Sequence, residues 1–181
     1  MKRKILSLVV PLFLVTEVGC GLSDKSPESK TEAVSKTTMK VALSEEQYPY
    51  YICEQVIEYQ LKKDEFLINM SEAFKDKNKL DDVSDSVDEL EEIVNAIENI
   101  EAPSKYKTNQ KVMLEGTSEL RKGIDLIKES RQKDKTNINK PIANLVENVK
   151  AAYLDYWEPT INEISKENPD AYKKTLEKKL H

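Results

Sequence analysis

From residue 48 to residue 157, apolar side chains recur three and four positions apart, the period of a helix with one buried face. Ile52, Val56, Tyr59, Phe66, Met70 and Phe74 make a first stripe, interrupted by Lys63. Leu80, Val83, Val87, Leu90, Val94 and Ile97 make a second, and Tyr106, Met113, Leu120, Ile124 and Ile127 a third. Ile142, Leu145, Val149, Ala152 and Tyr156 make a fourth. Charged residues fill the reverse of each stripe. No stretch alternates with the period of two that a half-buried strand requires.

The breaks between stripes agree with this division. Pro49 suits a first helical turn, so helix 1 is predicted to begin near Tyr48, with Ser44 to Gln47 as a preceding turn. Asp76-Lys77-Asn78-Lys79 is a polar link. Ala102-Pro103-Ser104 ends helix 2, and Lys133 to Lys140 separates helix 3 from helix 4, with Pro141 early in the latter. Pro159 should kink helix 4 or restart it, because proline lacks the N–H and crowds the preceding turn. Asn168-Pro169-Asp170 predicts one more short helix, with Asn168 as its cap. Four helices of roughly 20–28 residues joined by short links predict an all-α fold, an antiparallel up-down-up-down four-helix bundle with a short C-terminal helix.

The N-terminus has a different pattern. Met1-Lys2-Arg3-Lys4 is basic, and Ile5 to Val15 is an apolar run broken by Pro11. That run suits a secretory signal and is too short for a comfortable membrane span. It is followed by "LVTEVGCG", in which Val18-Gly19-Cys20 resembles the lipobox of bacterial lipoproteins. That resemblance implies a diacylglyceryl group on the Cys20 thiol and cleavage after Gly19. Glu17 departs from the pattern, which wants an alkyl side chain there. Ordinary signal cleavage and an uncleaved anchor are the alternatives. Gly21 to about Leu43 is rich in Ser, Thr, Lys and Glu and has too little apolar surface to order itself. The expected organisation is a lipoprotein signal peptide over 1–19, a lipid-anchored flexible linker over 20–43 and a helical-bundle domain over 44–181. The protein is then expected on the extracytoplasmic face of the cell membrane, held by a diacylglyceryl anchor, with secretion as the alternative.

Composition narrows the chemistry. The 28 Lys and Arg and 33 Asp and Glu leave a net charge of −5 with both signs interleaved. Nucleic acid is an unsuitable partner, since phosphate neutralisation needs clustered cations. The sole histidine is His181, so Ser-His, Cys-His and His-metal sites lack material, and neither an enzyme, a metal site nor a cofactor is expected. Asp76 to Asp81 starts like a calcium loop, then fails at Leu80 and Val87. The acidic run of helix 2, from Asp81 to Glu101, reads as a solvated face. Lys173, Lys174, Lys178 and Lys179 read as a solubilising tail. Cys53 reads as a small buried hydrophobe.

In an up-down bundle the start of helix 1, the end of helix 4 and the helix 2–3 link meet at one end. That gathers Tyr48, Tyr50, Tyr51, Tyr59, Tyr106, Tyr153, Tyr156 and Trp157 there. Tyr50, Tyr51, Tyr106, Tyr153 and Trp157 are the candidate residues for binding a ligand or partner, because aromatic groups combine large contact area with a polar tip. An aromatic-packed bundle end is the structural alternative. Tyr50 and Trp157 fall beside the stripes and are the foremost candidates.

The segment "IEAPSKYKTNQKVMLEGTSELRKGIDLIKES" carries Pro103, Tyr106, Met113 and Leu120 in an order also found in a known group. With the signal, Cys20 and the linker, the chain resembles small uncharacterised surface lipoproteins of Gram-positive bacteria with helical ectodomains. Where those often carry a histidine this chain has Gln110, so no role of that histidine transfers. The resemblance implies location and fold. The expected function is a non-enzymatic, membrane-anchored binding or interaction module for a protein, peptide or cell-wall partner. A carrier or sensor of a small apolar or aromatic ligand, or an exclusion- or immunity-type lipoprotein blocking a membrane partner, is the alternative.

Overall fold

The structure, a computed structural model, describes residues 40–133 and 139–180. The expected signal peptide, Cys20 and the linker up to residue 39 lie outside the described residues.

Helix α1 spans Gln47–Ala73. Its start is set by a reciprocal capping pair: Gln47 N–H donates to Ser44 Oγ (3.2 Å) and Ser44 N–H donates to Gln47 Oε1 (3.0 Å). This arrangement satisfies two donors that a helix start otherwise leaves unpaired. The turn foreseen at Ser44 to Gln47 is thus the first turn of the helix itself, with Tyr48 N–H donating to the Ser44 carbonyl. At the far end Asp76 accepts from Asn78 N–H, which shapes a short 3₁₀ turn over Lys77–Lys79 and leads into α2, Leu80–Glu98.

After α2, Ile100–Glu101 forms a two-residue strand, β2, paired in parallel with β1, Val41–Ala42. Val41 N–H donates to the Asn99 carbonyl and Leu43 N–H to that of Glu101. This corrects two expectations: a strand pair exists, and ordered structure starts before residue 44. Two-residue strands have no periodicity to read, and their pairing depends on where the α2–α3 link passes.

A 3₁₀ turn at Ser104–Tyr106 opens α3, Lys107–Lys133. The next rod runs without interruption through α4 (Asn139–Ala151), a π-helical segment (Ala152–Trp157) and α5 (Glu158–Glu167). Pro159 is the cause of the π segment. Proline cannot donate to the carbonyl four residues back and its ring collides with it; widening the preceding turn relieves both problems. Glu158 N–H accordingly donates to the carbonyl of Tyr153, five residues back. Helix α6, Pro169–Leu180, follows the non-helical Asn168. The Asn168 side chain does not cap α6 as expected; its amide donates to the Ile164 carbonyl and to Tyr106 Oη.

The fold is all-α apart from the small strand pair. Helix α1 packs on α2, α2 on α3, and α3 on α4 and the π segment, while α6 packs on α1 and α5. The predicted stripes supply most of the core: Ile52, Val56, Tyr59, Phe66, Val83, Val87, Leu90, Val94 and Ile97 are buried, as are Met113, Leu120, Ile124, Ile127, Ile142, Leu145 and Val149. Phe74 is the exception, 60% exposed, because α1 ends at Ala73 and Phe74 lies past its packed length.

Helix α3 meets the following rod through two glycines. A Cβ on Gly116 would stand 2.6 Å from Trp157 Nε1 and 2.8 Å from Tyr156 Cβ; one on Gly123 would stand 2.7 Å from Leu145 Cδ1. Gly116→Ala and Gly123→Ala are therefore expected to lower stability by about 1–3 kcal/mol despite their gain in helix propensity, as overpacked contacts do. Urea unfolding of each variant measures this; an unchanged or raised midpoint refutes the close approach.

Candidate functional site

The aromatic residues divide into a structural set and an accessible set. Tyr48 and Tyr106 stack with ring centroids 4.9 Å apart and planes 14° from parallel. Tyr48 Oη donates to Gln110 Oε1 (2.9 Å), and Gln110 Nε2 donates to the Ile97 carbonyl (3.0 Å). Gln110, 6% exposed, thereby ties α1, α2 and α3 together through one buried amide. Tyr59 Oη donates to the Val149 carbonyl, while its ring meets Trp157 edge-on at 4.7 Å and Tyr153 at 6.3 Å. Trp157 Nε1 donates to the Met113 carbonyl at 2.9 Å.

Two of the five candidate residues are therefore corrected. Trp157 is 0% exposed and Tyr106 is 3% exposed, so neither offers a surface to a partner. For Trp157 the physical reason is register. Continuing the fourth stripe from Ala152 by four residues puts Tyr156 in the core. The π segment inserts one residue, so the fifth, Trp157, turns inward over Gly116 instead. Tyr156 is left half-buried.

The other three candidates remain accessible, at two separate grooves that flank α6. Tyr50 is 41% exposed. With Tyr51 and Leu43 it lines a groove of about 590 Å³ between α1 and α6, rimmed by Glu46, Glu54, Lys174 and Lys178. Tyr51 is anchored by donating its hydroxyl to the Ala96 carbonyl at 3.1 Å, so its ring is a fixed wall. Tyr153 lines a second groove of about 420 Å³ with Val56, Ile161, Tyr172 and Lys173. The candidate site is thus not one aromatic end but the two sides of a short helix. Tyr172, Lys174 and Lys178 were missed as contributors. The Asn168-Pro169 start announced their helix, but nothing in the pattern showed that it packs on α1.

Charge is arranged across helix joints. Arg121 on α3 reaches Glu98 at 2.6 Å, Glu91 at 3.5 Å and Asn95 at 2.7 Å, all on α2. Lys128 pairs with Glu91 and Asp88, and Lys62 on α1 pairs with Glu89 at 2.8 Å. The acidic run of α2 therefore serves in part as two inter-helix ladders, beyond the solvated face that was expected. Asp76 is spent on its 3₁₀ turn. Among the described residues no group of three or more His, Cys, Asp or Glu is placed to hold a metal ion. Cys53 is fully buried, and burial pushes its thiol up to about 12, well above the reactive range.

The fold and site together define an all-α domain whose one short outer helix is bordered by aromatic, charge-rimmed grooves. The chain belongs to the family described as a domain of unknown function (DUF7018), whose model matches residues 40–159. No curated protein and no solved structure matches it. The matched stretch contains Tyr50, Tyr51 and Tyr153 but stops short of α6, which supplies the lysine rim. Among the described residues no helix is long and apolar enough to cross a membrane.

Burial raises the Tyr48 and Tyr59 phenols above the usual tyrosine range, with the neighbouring Tyr106 and Tyr153 phenols adding to it. A raised folded value stabilises fully below the unfolded value of about 10 and loses that contribution as pH climbs toward the folded one. Stability is expected to fall above about pH 10, by roughly 1.4 kcal/mol per pH unit for each such tyrosine. Cys53 adds to the slope from about pH 9. Urea unfolding between pH 8 and pH 11 measures the slope, which Tyr48→Phe and Tyr59→Phe should each reduce. A flat profile over that range contradicts the burial of these hydroxyls.

Proposed function

We propose that this protein is a non-enzymatic, lipid-anchored extracytoplasmic protein of the cell membrane whose helical domain is a binding module for a protein or peptide partner. The observation that carries the binding role is the α1–α6 groove, where Tyr50 is accessible beside the fixed ring of Tyr51 and both signs of charge line the rim. Aromatic floor and mixed rim suit an extended polypeptide, which offers apolar side chains, amides and charges together. The contact order α1–α2–α3–rod supports an up-down-up-down four-helix bundle, with α6 as the short C-terminal helix. The anchor is supported by the basic start, the apolar run and Val18-Gly19-Cys20. Leu43, just after the linker, lines the same groove, so an anchored domain would present this edge close to its attachment.

Two measurements test this reading. Intact mass with membrane fractionation should find a diacylglyceryl-bearing chain that begins at Cys20, and Cys20→Ala should abolish both the addition and the membrane association. A soluble, unmodified chain starting at Gly21 or Leu22 overturns the anchor. A photo-crosslinking side chain at position 50, in intact cells, should capture a discrete protein adduct at least about tenfold over the same probe at exposed position 81. Equal yields at the two positions overturn the groove as the binding site.

A further inference from the structure

Helix α1 is apolar on two opposite faces. Tyr59 and Phe66 point into the core. Roughly 180° away around the helix lie Tyr50, Ile57, Leu61 and Ile68, seven, four and seven residues apart. Such spacing on a surface is the seat of another helix lying along it. The structure covers only the middle of this stripe. Cys53 and Ile57 are closed off at 0% and 2% exposure, whereas Leu61 and Ile68 stand open at 48% and 59%.

The cover is α6. Its Lys179 reaches Glu58 at 2.6 Å and Glu54 at 3.6 Å, and Lys174 and Thr175 border Tyr50 and Glu54. Tyr172 meets Val56 and Tyr153 on the other side, so α6 crosses the outer face of α1 between residues 50 and 58. Its hold is slight. The fully closed side chains are small, Ala171 and Thr175, and the Thr175 hydroxyl is spent on the Ala171 carbonyl within α6. Grooves of about 590 and 420 Å³ run along its two flanks. Asn168, from which α6 departs, is tied to Ile164 and Tyr106, so α6 can leave without unpicking that joint.

We propose that the outer face of α1 is a helix-docking surface, held in cis by α6, from which a lysine-bearing amphipathic helix of a partner protein displaces α6 to lie along Tyr50, Ile57, Leu61 and Ile68. Charge chooses the occupant. Glu54, Glu58 and Glu65 follow one flank of the stripe, and the resident helix already answers the first two with a lysine. A second copy of α1 would bring like charges against that flank. This inference rests on the reading of the domain as an interaction module and supplies the class of its partner.

The test uses the full chain with Cys20→Ser, which leaves Cys53 as its one thiol. A thiol reagent should label Cys53 at least about tenfold faster than global unfolding, followed by Trp157 emission, allows, and with a shallower urea dependence. Lys179→Glu should speed labelling about fivefold or more without moving the Trp157 transition. The docking probe is a fluorescent synthetic helix of about 20 residues with a leucine face flanked by lysines. Lys179→Glu in the protein should tighten its binding by weakening the resident helix, and Leu61→Glu or Ile68→Glu should weaken it about tenfold. Labelling that follows global unfolding in rate and urea dependence overturns displacement of α6. Probe binding indifferent to all three substitutions overturns the docking face. Either failure beside a specific crosslink at position 50 leaves the binding module standing and removes only this surface from it.

Discussion

The domain depends on the seating of Trp157 over Gly116. Pro159 widens the helix before it, the extra residue turns Trp157 inward, and the absent side chain of Gly116 makes room for the indole. The indole N–H then takes the Met113 carbonyl, and its ring receives the edge of Tyr59. Tyr59 in turn closes α1 onto the rod at Val149. One local backbone change thus sets the register of everything after it: Trp157, Ile161 and Ile164 face the core in place of the positions one residue earlier. The widened turn lies at the meeting of α1, α3 and the rod, where a strained helix is repaid by the burial of the chain's largest side chain.

At the neighbouring end the same logic operates through polar groups. Tyr48, Gln110 and the Ile97 carbonyl form a buried chain in which every donor has an acceptor. A satisfied buried network fixes geometry, whereas a half-satisfied one costs more than an apolar core. The strand pair adds a second tie at this end, joining residues 41–43 to the α2–α3 link. Tyrosines gathered here looked alike in sequence because a hydroxyl bonded inside the core and one offered to a partner have the same chemistry. Burial and bonding separate them: Tyr48, Tyr59, Tyr106 and Trp157 hold the helices together, while Tyr50, Tyr51 and Tyr153 border grooves.

What could be read in advance follows from what periodicity encodes. The core stripes of α1, α2 and α3, and that of α4 as far as Ala152, were legible because burial on one helical face repeats every three to four residues. The link at Asp76 to Lys79 and the start at Pro169 were legible because their residues have local conformational preferences. The exchange of Tyr156 for Trp157 was hidden, since Pro159 warned of a disturbance without saying whether the helix would kink, restart or widen. The pairing of Val41 with Ile100 was hidden because it joins segments far apart in sequence by backbone bonds alone. Ile57, Leu61 and Ile68 were visible as apolar residues off the main stripe, but a second face acquires meaning only when one sees what covers it. For the same reason the lysines of α6 passed for a tail.

Those hidden features have a common origin, and it bears on where a partner should act. Every contact written by helical period belongs to the interior and is mutually reinforced by neighbouring turns. The contacts of α6 are of the other kind: a few small side chains, one bridging lysine and two open flanks. Interior contacts resist competition, because displacing one residue exposes several others. A short helix seated on a longer apolar stripe has no such protection, and the exposed leucine and isoleucine beyond it give a competitor contact area that the resident does not use. The interaction energy available to a partner is therefore greatest on the outer face of α1, and least at the aromatic end, where the rings have already found their partners within the chain.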